Sequence, residues 1–282
     1  RGAGIATVVA GVFSLLMFFV LLCSGSNNDT FHTIKGWRLE RDLFVRLLRY
    51  GFPSGVQFFL EMAGFTAFVL LVGRLGITSL AATNIAFNIN TLAFMPMIGC
   101  GIAISVLVGQ YLGGDKPDRA QLAVYSGFHL TLVYMISIAA AYVLVPDVFV
   151  APFALRADPA EFSEIYGYSI ILLRFVAVYS VFDTMNIIFC SAIKGAGDTR
   201  YVMLITVMLS VFLLIVPVYL AVVIFEFGLM VAWVFATAYI ILLGFIFYFR
   251  FLGGKWKTMR VIERREEIPM LKPTKLGGVA KL

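Results

Sequence analysis

The sequence predicts an all-α fold, a polytopic membrane helix bundle with seven transmembrane helices. Three observations carry this: 61% of the 282 residues are hydrophobic and only 13% charged, the mean hydropathy is +0.95, and the apolar residues gather into seven long runs. A soluble domain averages about 45–50% apolar and about 25% charged residues, so one globular core could not hide this excess. These figures exclude a soluble enzyme. The net charge of +6 resides in basic residues between the apolar runs, where it orients a membrane protein and does not mark a nucleic-acid binder.

A hydrocarbon core of about 30 Å requires about 20 apolar helical residues, because backbone polar groups must be satisfied internally in lipid. The first run, Gly4 to Cys23, meets that length, and the chain opens at Arg1 without an initiating Met or a basic region, which reads as a fragment and not as a signal peptide. Residues 39–50 place Leu39, Leu43, Phe44, Leu47 and Leu48 on one helical face, with Arg41, Arg46 and Arg49 off it. That pattern fits an interfacial amphipathic helix or a connector packed beneath the bundle. The second run is Phe52 to Gly73 and the third Leu80 to Tyr111, with a kink expected at Pro96. Leu122 to Pro146 is the fourth, and residues 146–164 read as the largest external loop. Ile165 to Ile193, Tyr201 to Phe225 and Phe227 to Tyr248 complete the set, with a bend expected at Pro217. Beyond Gly253 the chain turns polar and reads as a mobile tail.

Alternate connections must lie on opposite sides, so their Lys and Arg content tests the map independently. The connections around residues 35–49, 116–119, 194–200 and 250–265 hold fifteen basic residues, against Arg1, Arg74 and Arg156 on the other side. The positive-inside rule puts the first group and the C-terminus in the cytoplasm. Short loops and compact ends fit a bacterial inner (plasma) membrane protein. Cys23, Cys100 and Cys190 lie in or at the end of apolar runs without short mutual spacing, which suggests packing and neither a disulfide framework nor a zinc site.

An ionisable group within a span costs about 2.5–3.5 kcal/mol on insertion scales, so it faces a wet cavity and serves function by default. Glu61 and Asp183 fall near the middle of their spans. Tyr179 and Asn186 share a helical face with Asp183, and Gln57 stands one turn from Glu61. Two carboxylates with neutral oxygens suit a monovalent hard cation, or a proton held on a carboxylate; the plainer alternative is a protonated carboxyl bonded between helices. Arg174 lies about 13 Å along the helix from Asp183 and out of phase with it, which favours snorkelling outward or bracing a neighbour over direct pairing. In the third span Asn84, Asn88 and Thr91 recur at helical spacing, while Asn90 points elsewhere. This polar stripe fits a solute path or interhelical hydrogen bonding. His129 reads as a packing histidine. The sequence holds no HExxH, GxSxG or P-loop, so the protein is expected not to be an enzyme and to need no cofactor, any transport being driven by a gradient of Na+, H+ or the solute itself.

Four strings together resemble the MATE (multidrug and toxic compound extrusion) family: GFPSGVQFFLEMAGF, LGITSLAATNIAFNI, VLVGQYLGGDKPDRA and FDTMNIIFCSAIKGAGDTR. The resemblance is close from Tyr50 to about Pro217 and topological beyond. It implies the following organisation: residues 1–24 as the last helix of a first lobe, 25–50 as a cytoplasmic linker, 51–252 as the six-helix second lobe of a twelve-helix transporter, and 253–282 as a cytoplasmic tail. Within the NorM-type subgroup, the resemblance implies cation coupling at Glu61, Tyr179 and Asp183; Gln57, Asn84, Asn88 and Asn186, read from their helical spacing, are the candidates for a substrate path. The implied activity is antiport of a small organic cation against sodium or protons by alternating access. The missing first lobe and membrane lipid are the implied partners, and no nucleic acid is expected. A lipid-linked oligosaccharide flippase of the same superfamily and a seven-helix receptor are the alternatives. The first typically carries a basic central cavity, whereas these spans are acidic, and only the helix count suggests the second.

Overall fold

The computed structural model describes residues 2–23, 39–154 and 159–259, and every regular element among them is helical. The chain divides into two compact units, Arg1–Arg49 and Tyr50–Leu282. Seven described helices are long and apolar enough to cross a membrane.

In the first unit, α1 (Gly2–Cys23) carries no charged residue and no polar stripe. A helix that is apolar all round belongs in lipid. The helix α2 (Arg41–Gly73) runs without a break through Pro53, so the expected separate helix at 39–50 and the second span are one element. Proline forfeits a single ladder bond, and just beyond it the Ser54 hydroxyl donates to the Tyr50 carbonyl at 3.3 Å. Leu43, Phe44 and Leu47 stay exposed. The basic residues expected at Lys35 and Arg38 lie outside the described residues, as do Arg156 and the chain from residue 260 onward.

In the second unit, α3 (Ile77–Gly113) ends in the LGGDK turn, where Asp115 takes φ 56° before Pro117 starts α4 (Pro117–Leu144). Pro96 lies inside the continuous α3. The expected external loop at 146–164 is corrected by the structure: α5 (Pro146–Ala154) follows α4 directly, and α6 (Pro159–Gly195) begins before the loop was expected to end. Pro146 and Asp147 form a helix start, and Phe149 packs edge-on to Tyr142 with ring centroids 4.9 Å apart. The Tyr166 hydroxyl donates to the Asp147 carboxylate, joining α6 to α5.

The sixth span is irregular. It comprises α7 (Thr199–Leu209), a π-helical stretch (Ser210–Ile215), α8 (Val216–Tyr219) and a second π-helical stretch (Leu220–Ile224). The ring of Pro217 pushes against the carbonyl four residues back, and the wider turn meets this: Val216 N–H bonds the Val211 carbonyl, five residues back. Downstream, Phe225 N–H reaches Leu220 in the same way. Where a bend was expected at Pro217, the span carries a π-helical stretch on either side of it. The last span is α9 (Leu229–Leu252).

Helix α6 is the axis of the unit, packing along α3, α9 and α4. Its apolar surface is divided between two clusters. One gathers Phe68, Leu172, Leu173, Val218 and Trp233, with Trp233 stacked on Phe87 at 5.1 Å and its indole N–H on Thr83 at 3.3 Å. The other gathers Val124, Ile188, Phe189, Phe247 and Phe251. The expected mobile tail starts folded: a short 3-10 turn, Lys255–Thr258, buries Trp256, which stacks on Phe251 at 4.8 Å and bonds its carbonyl at 2.9 Å.

Candidate functional site

Helix α2 turns Gln57, Gly64, Phe68 and Val72 inward, and Glu61 occupies the remaining position of that face by helical spacing. Helix α6 turns Tyr179, Asp183 and Cys190 inward, with Asn186 half-buried beside them. The two stripes meet. Gln57, only 1% exposed, donates its amide N–H to Glu61 Oε1 at 2.8 Å and lies 4.0 Å from Cys190 Sγ, which joins α2 to α6. Asn186 donates to Asp183 Oδ1 at 2.8 Å, and Asp183 is 6% exposed. Each carboxylate is thus held by an amide of its own helix, on stripes that touch at Gln57 and Cys190.

Gln57 and Asn90 spend their N–H ends within this cluster and leave their oxygens over. Asn90 on α3 donates to the Tyr179 hydroxyl at 3.2 Å, yet the side-chain oxygens of Gln57 and Asn90 are buried with no hydrogen-bond partner. A buried polar atom left unpaired costs about 1–3 kcal/mol, so the cluster holds a surplus of acceptor oxygens. Carboxylate, amide and phenol oxygens together are the donor set of a hard cation. A proton relieves the same surplus by turning one carboxylate into a donor.

Of the residues the sequence singled out, Gln57, Glu61, Tyr179, Asp183 and Asn186 are brought together. Asn84 and Asn88 are not; they are exposed on α3, where Asn88 donates to the Asn84 carbonyl at 2.8 Å and Thr91 to the Phe87 carbonyl at 2.8 Å. Arg174 is exposed on α6. His129, expected to pack, is exposed on α4 beside Phe128. Leu130 and Val133 on the same stretch of α4 are exposed as well. Of the cysteines read as packing residues, Cys190 is buried, Cys100 intermediate and Cys23 exposed. The sequence reading set Asn90 off the Asn84–Asn88 stripe but gave it no role; two residues from Asn88, it points into the bundle and onto Tyr179. It missed Tyr239 on α9, which packs against both apolar clusters. A tyrosine in an apolar helix carries no signal of its own.

At the other end of α6, Arg250 places Nε at 3.0 Å and Nη2 at 2.7 Å from one oxygen of Asp198, with its guanidinium 4.2 Å from the centroid of the Tyr201 ring. This ties the α6–α7 turn to the end of α9.

The MatE family model matches residues 53–220. A probable multidrug resistance protein NorM of Thermotoga maritima is 28% identical over 94% of the chain and 55% of its own length. One of Pasteurella multocida is 29% identical over 73% of the chain and 43% of its own length. Among solved structures, one described as MATE in the straight conformation superposes with a TM-score of 0.76 at 18% identity, covering 91% of this chain and 57% of that one. Another, MATE in the bent conformation, gives 0.69 at 16%, covering 79% and 49%. The chain spans about half the length of the curated relatives it matches.

Proposed function

Because the chain belongs to the MatE family, we propose that it supplies one half of a secondary antiporter, which exports small lipophilic organic cations in exchange for sodium or protons by alternating access. One observation carries the reading: two membrane-level carboxylates, Glu61 and Asp183, stand on the stripes of α2 and α6 that touch at Gln57 and Cys190, each bonded to an amide, and Gln57 Oε1 and Asn90 Oδ1 nearby lack partners. The names of the relatives, multidrug resistance proteins, agree with it. A cation or proton entering this cluster removes charge repulsion and pairs the orphaned oxygens, so it favours whichever arrangement of α2 and α6 closes them around it. A drug cation that prefers the other arrangement is then released. This is linkage between two ligands through two states, and it is reciprocal.

In this reading the exposed Asn84–Asn88 stripe faces a cavity completed by the other lobe of the transporter. The protein lies in the bacterial inner membrane with Arg250 and the C-terminus on the cytoplasmic side. The test is efflux of a fluorescent lipophilic cation from proteoliposomes holding the full-length transporter, under imposed sodium or proton gradients. Asp183→Asn and Glu61→Gln should each abolish ion-driven efflux. Efflux that keeps its ion dependence in both variants would remove the coupling role from these carboxylates.

A further inference from the structure

Helix α9 ends in a fold-back. Gly253 and Gly254 follow Leu252, and Gly254 takes φ 69°, a left-handed conformation that glycine adopts without strain. The chain turns under the helix end, and Lys255–Thr258 forms the 3-10 turn whose Trp256 is buried on Phe251. Two contacts seat this end beside the start of α4. Lys257 Nζ lies 3.8 Å from Asp118 Oδ1, and the Tyr125 ring meets Phe251 edge-on with centroids 5.8 Å apart.

Between the turn and α4 lies a cavity of about 150 Å³. Its walls are the rings of Tyr125, Phe251 and Trp256, and its polar side chains are Gln121, Tyr125 and Lys257. Among the described residues lining it, Lys257 is the one charged side chain, and none is acidic. Asp118 does not cancel that charge: at 3.8 Å, with its side chain 95% exposed, it is a solvated partner of the kind worth least.

The cavity also meets the lipid-facing surface. Leu252 forms part of its wall and is itself exposed. Phe249 and Phe245, three and seven residues back on the same face of α9, are exposed too, with their rings stacked at 6.3 Å. An apolar track therefore starts at the recess and runs down the span. A cationic, aromatic-walled recess at the head of an apolar track matches an amphiphile with an anionic head. Free phosphate would leave the track bare, and a zwitterionic lipid would bring its own cation towards Lys257.

We propose that this recess binds the headgroup of an anionic phospholipid, with Lys257 on the phosphate and an acyl chain along Leu252, Phe249 and Phe245. Tyr and Trp favour the level where a ring is apolar and its polar tip is wet, and lysine reaches that level by laying its stem along apolar surface. Basic recesses between helix ends suit anionic headgroups. The bound lipid bridges the start of α4 to the end of α9 and clamps the 3-10 turn to the bundle. None of these residues belongs to the Gln57, Glu61 and Asp183 cluster, so the inference stands apart from the coupling reading.

The experiment uses the full-length transporter in detergent, with bound lipid counted by native mass spectrometry and the thermal midpoint followed in parallel. The probes are phosphatidylglycerol, phosphatidylcholine of the same chains, and inorganic phosphate. Phosphatidylglycerol should bind and raise the midpoint. Phosphatidylcholine should bind about fivefold more weakly, the scale of one lysine at an anionic surface, and phosphate should leave the midpoint unchanged. Lys257→Gln, where 34% of the side chain is exposed and the fold should be kept, should lower phosphatidylglycerol binding to the phosphatidylcholine level. Arg200→Gln removes an exposed cation in the first turn of α7, outside the cavity, and should bind phosphatidylglycerol as wild type does. Equal binding of the two lipids, or equal losses in Lys257→Gln and Arg200→Gln, would reduce the effect to general surface attraction and overturn the site. A midpoint raised as much by inorganic phosphate as by phosphatidylglycerol would overturn the lipid as its occupant.

Discussion

Replacing Gly244 by alanine tests whether α9 is seated on α6 as tightly as its backbone contacts state. A Cβ at residue 244 would lie 2.8 Å from the Phe182 carbonyl oxygen and 3.3 Å from Met185 Cβ. A carbonyl fixed in a helix cannot rotate aside, so α9 must withdraw from α6 by several tenths of an ångström over the turn that carries Asp183. Overpacking of this kind costs about 1–3 kcal/mol, set against about 0.8–1 kcal/mol gained when alanine replaces a helical glycine. Gly99 on α3 has nothing within 4 Å of its would-be Cβ, so Gly99→Ala should keep the propensity gain alone. The two variants should differ by about 1–3 kcal/mol in denaturant titrations of the protein in mixed micelles, Gly244→Ala being the weaker. Efflux should also need more driving ion in Gly244→Ala, because the Asp183 turn is displaced. Equal midpoints for the two alanine variants would refute the close approach of α9 to α6.

A double-mutant cycle with Arg250→Gln and Asp198→Asn should give a coupling of about 1 kcal/mol, at the top of the range for exposed pairs, since the two side chains are 24% and 12% exposed; a coupling indistinguishable from zero would make the contact incidental. Asn84→Ala and Asn88→Ala should leave the melting transition within about 0.5 kcal/mol of wild type, because both side chains are exposed. The same two variants should raise the KM for drug efflux, and an unchanged KM would take the stripe out of the solute path.

What the sequence makes legible here is set by the length scale of each signal. A run of about 20 apolar residues is unambiguous, and the seven spans fall where hydropathy puts them. The contacts of Gln57 with Glu61 and of Asn186 with Asp183 follow from i, i+4 and i, i+3 spacing, a local property of one helix. Continuity of α2 through Pro53 was not legible, since whether a proline breaks a helix depends on what re-bonds the neighbouring carbonyls. The helix at 146–154 was hidden because nine residues holding two prolines, Pro146 and Pro152, resemble a loop until Tyr142 supplies a surface for Phe149. Asn90 matters through a partner 89 residues away along the chain, Tyr179. No pattern within a single helix reports that. Trp256 was lost for a similar reason, its partner Phe251 lying across the end of α9.

The two π-helical stretches of the sixth span also have a metric consequence. Thr199 to Ile224 is 26 residues, about 39 Å if it were ideal α-helix at 1.5 Å per residue, against a hydrocarbon core of about 30 Å. Wide turns pack more residues into each ångström of rise, so this helix shortens without tilting, whereas a regular neighbour of similar length must lean over. Lipid thickness then acts on the sixth span through its turn geometry. Short-chain and long-chain bilayers would favour different numbers of wide turns, making acyl length a variable to which Ser210 is directly exposed.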